Sequence, residues 1–272
     1  MPWTSTGQTA SYLDSVVKAT NDNTAFQMFK TLPFVYTVVG SSEPAHAFAC
    51  LQSAYQTISA SISASLPISS AFSAALSAAF ANFRLNDSYG GSFYTINTPF
   101  GSMTSDTLRY AQSTGMMAQG FGNLSGSNIV EFGPFYGGLA HCMLSFWTGS
   151  IGAYYMVDLP EVMGLSQAYF NSMSVQPIMY NTASLIYGGT VPTASYIFIS
   201  EYALTEFTEP DLTNLFNQYV TASDAFFIRT NFADVGQYIS FVASCSAAGF
   251  IVSASAEPAY RKPNIILIGV KK

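Results

Sequence analysis

Two carboxylates, each placed where an apolar run ends, carry the strongest chemical signal in the chain. Glu131 follows the β-branched pair Ile129-Val130 and opens a glycine-rich stretch, Glu131-Phe-Gly-Pro-Phe-Tyr-Gly-Gly138, after which Leu139 to Phe146 resumes at helical spacing. Glycine at 133, 137 and 138 permits positive φ and close backbone approach, so the loop can wrap a ligand and aim helix N–H groups at it. About twenty residues further on, Tyr154-Tyr-Met-Val157 reads as a second strand ending in Asp158, a carboxylate able to accept both hydroxyls of a ribose. Strand, glycine loop, helix, strand, carboxylate is the layout of a nucleotide-type site.

The sign of the charge narrows the ligand. A dinucleotide fingerprint requires a second glycine where Phe135 stands, and Glu131 would repel a pyrophosphate. A ribose joined to a positively charged, phosphate-free group suits the pair better, which points to the sulfonium of S-adenosylmethionine rather than to NAD.

Other groups able to do chemistry cluster after a later strand. Glu201 and Glu206, at and just beyond the end of Tyr196-Ile-Phe-Ile-Ser200, are the candidate bases for activating a hydroxyl, weighted above Asp234. Glu206 reads equally as a helix-start or surface carboxylate. His141 titrates in the right range, yet its place in the helix after the loop predicts a packed or exposed ring. Arg229 and Asn231 end a fifth strand, Arg229 either touching substrate or pairing with an acid. Tyr202, Tyr94 and Phe100 are candidates for stacking on a ring, although aromatics in a chain with 15% of them are more often core.

Composition bounds the partners. At 272 residues the chain suits one α/β domain plus an accessory segment, and only 9% of it is charged. The net charge of −6 argues against nucleic acid, and the basic pairs Arg261-Lys262 and Lys271-Lys272 read as solvated ends. A surface so poor in ions suits hydroxylated small molecules or self-association. Three scattered cysteines and two histidines give neither a disulfide framework nor a zinc spacing, which predicts a reducing, cytoplasmic setting without a metal centre. No secretory leader is recognisable, and the uncharged stretch from Pro44 to Phe83 is broken by serines and Pro67, so no membrane span is expected.

The elements that position these groups follow from periodicity. Residues 1–85 read as a helical cap or oligomerisation region: Ile58, Ile62 and Leu66 share one helix face, and Phe72, Leu76 and Phe80 another after Pro67. Residues 86–272 form the α/β domain. It begins with a turn-rich loop over 86–101 and a helix over 104–119 capped by Thr104 or Ser105. Strands follow at Ile129, at Tyr154, at Gln176–Tyr180, at Tyr196 and at Phe226–Thr230, with helices after Asp158 and Pro210. The last two strands, Gly249–Ser253 and Asn264–Val270, are joined too closely for a crossover helix and should pair antiparallel.

On Val130 to Ala140, Met156-Val-Asp-Leu-Pro-Glu161 and Phe198-Ile-Ser-Glu-Tyr-Ala-Leu-Thr-Glu-Phe207, with Asn97-Thr-Pro-Phe-Gly101 and Leu108-Arg-Tyr110 beside them, the chain resembles the sugar O-methyltransferases of bacterial polysaccharide clusters. The blocks cover roughly residues 93 to 232. The resemblance implies an α/β, Rossmann-like class I methyltransferase fold: a seven-stranded, mostly parallel sheet with one antiparallel strand, plus the N-terminal helical region. It implies transfer of a methyl group from S-adenosyl-L-methionine to a hydroxyl of a sugar or glycan precursor. By position, Glu131, Gly133, Phe135 and Gly137 would line the methionine end, Asp158 the ribose and Leu159 the adenine. Ser200 would complete the cofactor site, and Tyr202 and Asn231 would meet the acceptor. Two alternatives stay open: another small-molecule acceptor, or an inactive structural or assembly protein that keeps the fold.

Overall fold

The structure, a computed structural model, describes residues 7–32, 44–65, 70–92, 94–173, 195–207, 211–232, 235–257 and 264–272. The N-terminal region is helical as its periodicity predicts: α1 (Gly7–Asn21), α2 (Asn23–Gln27), α3 (Pro44–Ser63) and α4 (Ser70–Arg84). Asp22 caps α2 by accepting from the Ala25 amide. A two-stranded ribbon, β1 (Thr95–Thr98) and β2 (Gly101–Thr104), then occupies what reads in the sequence as a turn-rich loop. Its tight turn is set by Gly101 at φ +105° and by the Thr98 hydroxyl, which donates to the Gly101 carbonyl and accepts from the Phe100 amide. Next comes α5 (Ser105–Phe121), whose first turn is closed by Thr104 accepting from the Thr107 amide.

The α/β part continues as β3 (Ile129–Phe132), α6 (Gly138–Phe146), β4 (Tyr154–Val157), α7 (Pro160–Ser172), β5 (Ile197–Glu201), α8 (Asp211–Leu215), β6 (Ala225–Thr230), α9 (Val235–Ala247), β7 (Phe250–Ala256) and β8 (Ile265–Lys271). Pro160 starts α7, where its missing N–H costs nothing. Six strands form one sheet in the order β4-β3-β5-β6-β8-β7. The pairs β3·β4, β3·β5 and β5·β6 are parallel, and β8 runs antiparallel to both β6 and β7. The reversed strand therefore lies where the short terminal connection predicts. Of the seven strands expected, six are among the described residues; the one read at 176–180 lies outside them.

Residues alternate between two apolar layers. Ile129, Met156, Ile199 and Phe227 face a core built with Phe29, Ile58, Phe80, Leu108, Leu139 and Tyr169. Val130, Val157, Phe198, Phe226 and Ile228 face a second core with Leu215, Phe216 and Phe241. A parallel sheet covered on both sides reads as unbroken apolar runs, which is why its strands stand out in the sequence. Helices from residues 1–85 contribute to the first core alongside helices of the α/β part. The approach is close: a Cβ on Gly115 of α5 would lie 2.0 Å from Thr57 Oγ1 of α3.

Candidate functional site

Strand β3 leads through α6 to β4 on one side, while its other neighbour, β5, has β6 beyond it. Chain direction across the sheet thus reverses between β3 and β5, and the crevice beyond their carboxyl ends is where open α/β sheets bind ligands. Glu131, Gly133, Phe135, Gly137, Asp158, Leu159, Ser200, Glu201, Tyr202, Arg229 and Asn231 lie on or just past strands that reach this edge, whereas His141 lies in α6 and Tyr94 and Phe100 flank the strands of the β1–β2 ribbon.

The glycine loop is built as its composition requires. Gly133 has φ +72° and Gly137 φ +93°, and neither has room for a side chain: a Cβ on Gly133 would lie 2.2 Å from the Ala203 Cβ, and one on Gly137 2.6 Å from Phe170 Cε2. Phe135 takes a left-handed backbone too, at φ +52°, although it is not glycine. Its ring turns into the aromatic core, 5.9 Å from Tyr12, 6.2 Å from Phe29 and 5.1 Å from Tyr136. The N-terminal helices thus hold the residue that stands in place of a loop glycine.

Asp158 is buried at the tip of β4. Its Oδ2 accepts from the Phe135 amide at 3.2 Å and its Oδ1 from the Leu159 amide at 2.7 Å. These bonds fix the orientation of the carboxylate at the strand tip. Leu159, buried, precedes the first turn of α7. Gly133 and Gly137 thus make room for Ala203 and Phe170, and Asp158 and Leu159 lie beside that loop at the tip of β4.

Strand register sorts the remaining candidates by face. Glu131 pairs with Ile199, and Glu201 with Arg229, so all four side chains point toward the helices of the first core. Ser200, paired with Phe132 and Ile228, points to the opposite layer; it is fully buried and its Oγ makes no hydrogen bond among the described residues. Glu131 is buried and accepts from the Tyr154 hydroxyl at 2.8 Å. Burial pushes its carboxyl up to about 8, against the pull of that hydrogen bond. Asn231 is exposed, and its Oδ1 accepts from the Thr205 hydroxyl. Glu206 ends a short 3₁₀ turn over Ala203–Glu206, and its side chain lies outside the described residues, as does Asp234.

Around Glu201 the structure assembles an ionic network that joins α3, α5, the end of β5, β6 and the β7–β8 ends. Arg109 Nε lies 3.5 Å from Glu201 Oε2 and Arg229 Nε 3.3 Å from Oε1, while the Ser113 hydroxyl also donates to Glu201. Arg229, fully buried, reaches Gln112 Oε1 at 3.0 Å and Ser113 Oγ at 2.8 Å, and its Nη1 is paired with Glu257. Glu257 further accepts from His46 at 3.1 Å, Tyr202 at 2.6 Å and Asn264 at 2.8 Å. Burial alone would raise the Glu257 carboxyl, but the Arg229 guanidinium and these donors hold it well below the usual range. Arg229 and Arg109 are each held more firmly protonated: burial works against the charge and the surrounding carboxylates and phenols overcome it. Tyr202 has a left-handed backbone at φ +65°, its amide donating to the Arg229 carbonyl at 2.6 Å. His141 is packed as expected, its Nε2 donating to the Asn82 carbonyl at 3.0 Å while burial lowers its basicity.

The sequence reading missed Arg109, Ser113, His46 and Glu257 as partners. The available signal was rarity: in a chain with 9% charged residues, an arginine inside Phe226-Phe-Ile-Arg-Thr230 has to be paired.

No family model and no curated protein matches the chain. It is similar in structure to magnesium protoporphyrin IX methyltransferase from Synechocystis PCC 6803 with bound SAM, at 13% identity and TM-score 0.48, over 60% of this chain and 78% of that one. Mitomycin 7-O-methyltransferase aligns at 12% identity and TM-score 0.45 over 62% of this chain and 57% of that one. A pyocyanin biosynthetic protein aligns at 11% and 0.45, over 62% and 58%. None of the three reaches a TM-score of 0.5, and the fold stands on strand order and direction instead.

Proposed function

We propose that the chain is an S-adenosylmethionine-dependent methyltransferase whose acceptor is a hydroxyl of a sugar or another small molecule. One observation carries the reading: a glycine-loop strand and a carboxylate-tipped strand lie side by side at the reversal point of a sheet whose single reversed strand is β8. Asp158 would take the ribose hydroxyls and Leu159 the adenine face, beside the loop whose course Gly133 and Gly137 set by packing against Ala203 and Phe170. When bound, the donor supplies an activated methyl group on a sulfonium. The chain's part is to hold an acceptor oxygen in line at about 3 Å, which itself yields much of the rate.

Glu201, held between two guanidinium groups, would orient the end of β5, and Tyr202 and Asn231 would meet the acceptor. The sugar class rests on the resemblance alone; the fold accommodates other hydroxyl acceptors equally. An inactive assembly role has one observation in its favour, since both Asp158 oxygens already accept backbone N–H groups.

Calorimetric titration with S-adenosylmethionine separates these readings. The expected result is saturable 1:1 binding that weakens at least tenfold in Asp158→Ala. Absence of heat in well-folded wild-type protein would remove the enzyme reading. Transfer to a phenol or carboxylate with none to any sugar would remove the sugar acceptor.

A further inference from the structure

We propose that Asp106 is the group that takes the proton from the acceptor hydroxyl during methyl transfer. This rests on the methyltransferase reading above and adds a residue to it.

Asp106, Arg109 and Ser113 of α5 fall at i, i+3 and i+7, the spacing of a single helix face. Arg109 and Ser113 both engage Glu201 at the carboxyl end of β5, so their face is turned toward that strand. Asp106 lies one turn nearer the helix start. Further along α5, Gly120 meets Ile268, whose strand partner Phe227 lies midway along β6, so α5 descends across the sheet and its first turn stands above the strand ends. That places Asp106 over the crevice. The next turn of α5 adjoins the end of the glycine loop, because a Cβ on Gly138 would lie 2.4 Å from Tyr110 Cε2.

What distinguishes Asp106 from Glu201 is what its oxygens do. Glu201 has a guanidinium nitrogen at 3.3 Å from Oε1 and another at 3.5 Å from Oε2, and the Ser113 hydroxyl on Oε1, so although its Oε2 likewise makes no hydrogen bond among the described residues, both its oxygens face a close cation. Asp106 is 7% exposed, yet its Oδ1 makes no hydrogen bond among the described residues, and its nearest cation, Arg109 Nη2, is 3.9 Å away. A buried carboxylate oxygen without a donor is costly unless something else is meant to approach it. Burial pushes the Asp106 carboxyl up to about 6, against Arg109 and Lys30, with Asp87 and Glu201 adding to the rise. Tyr110 on its own helix and Tyr136 on the glycine loop also face it. At neutral pH the group is ionised and close to the strength that suits a general base.

The step balances. The acceptor oxygen forms a bond to the methyl carbon, the carbon–sulfur bond breaks with its electron pair staying on sulfur, and the hydroxyl proton passes to Asp106. Water then takes that proton.

The test uses the full chain with S-[methyl-³H]adenosylmethionine and a fixed panel of UDP-glucose, GDP-mannose, methyl α-mannopyranoside and catechol. Asp106→Asn should bind the donor within twofold of wild type by calorimetry while kcat on the acceptor used falls about 100-fold or more. The wild-type kcat should show an acid limb near pH 6, and carbon-13 aspartate labelling of the ligand-free protein should show a carboxyl titrating there. Transfer that survives Asp106→Asn, or a wild-type profile flat from pH 5 to 7 on the order of experimental error, overturns the role of Asp106 alone. If the variant does not fold, the wild-type profile and the carboxyl titration decide. No donor binding, or no transfer to any panel member, removes the methyltransferase reading and this one with it.

Discussion

Strands β3 and β5 run parallel and adjacent, and each sends a glutamate toward the same helices, but the two carboxylates are kept inside the protein by opposite means. Glu131 meets a phenol and apolar neighbours, and its carboxyl is raised to about 8, so at neutral pH it is largely uncharged. Glu201 meets Arg109, Arg229 and Ser113. A buried acid can shed its charge or be paired; this molecule does one at each side of its crevice. Each strand end is also followed by a left-handed residue that is not glycine, Phe135 at +52° and Tyr202 at +65°. Such backbone persists only where the surroundings dictate it, here the N-terminal aromatics for Phe135 and the Arg229 carbonyl with Glu257 for Tyr202. The difference teaches that the β3 side depends on packing and the β5 side on charge.

The harshest way to break that contrast is to remove the guanidinium. Arg229→Met would strand Glu201 and Glu257 in the interior, and a buried pair broken on one side typically loses about 3–5 kcal/mol. Urea unfolding at pH 7 should show that loss. A cost under about 1 kcal/mol would mean that Arg109 and His46 suffice for both acids.

The next prediction sharpens the β3 side through pH. Glu131 goes from 4.5 in the unfolded chain to about 8 in the fold, so between those values the folded state keeps a proton that the unfolded state has released. Stability contributed by this group is therefore full below pH 4.5 and falls as pH rises toward 8. Glu131→Gln removes the titration, and its stability advantage over wild type should grow on the order of 1 kcal/mol per pH unit across that window. Parallel pH profiles for the two proteins would show that Glu131 is ionised in the fold.

How far these features were legible follows from how local their causes are. Ile129 to Gly138, Asp158 and the close pair of terminal strands depend on neighbours in sequence, so the glycine loop, the carboxylate-tipped strand and the reversed β8 could be read directly. Ser200 and Glu201 are consecutive in a strand and must face opposite layers, a consequence of the two-residue period that the grouping of site residues overlooked. The ionic network was hidden for another reason: His46 and Glu257 meet across 211 positions, and Arg229 meets Gln112 across 117. No spacing rule links such residues; only the folded sheet does. The ribbon of Thr95–Thr104 was obscured because its strands are four residues long and its Pro99 and Gly101 read as loop.

The smallest expected effect tests whether the phenol or the guanidinium anchors the β5 side. Tyr202 donates its hydroxyl to Glu257, 2.6 Å from Oε2, but Arg229, His46 and Asn264 serve the same carboxylate. Tyr202→Phe keeps the ring over Arg109, 5.5 Å from its guanidinium carbon, and leaves the backbone strain untouched. Only one of several charge-assisted bonds is lost, so the cost should be about 1 kcal/mol in urea unfolding at pH 7. Because Glu257 retains its ion pair, Arg229→Met made in the Tyr202→Phe background should cost nearly what it costs alone. A loss for Tyr202→Phe approaching that of Arg229→Met would reverse the assignment, making the strained tyrosine the anchor of Glu257 and the arginine its satellite.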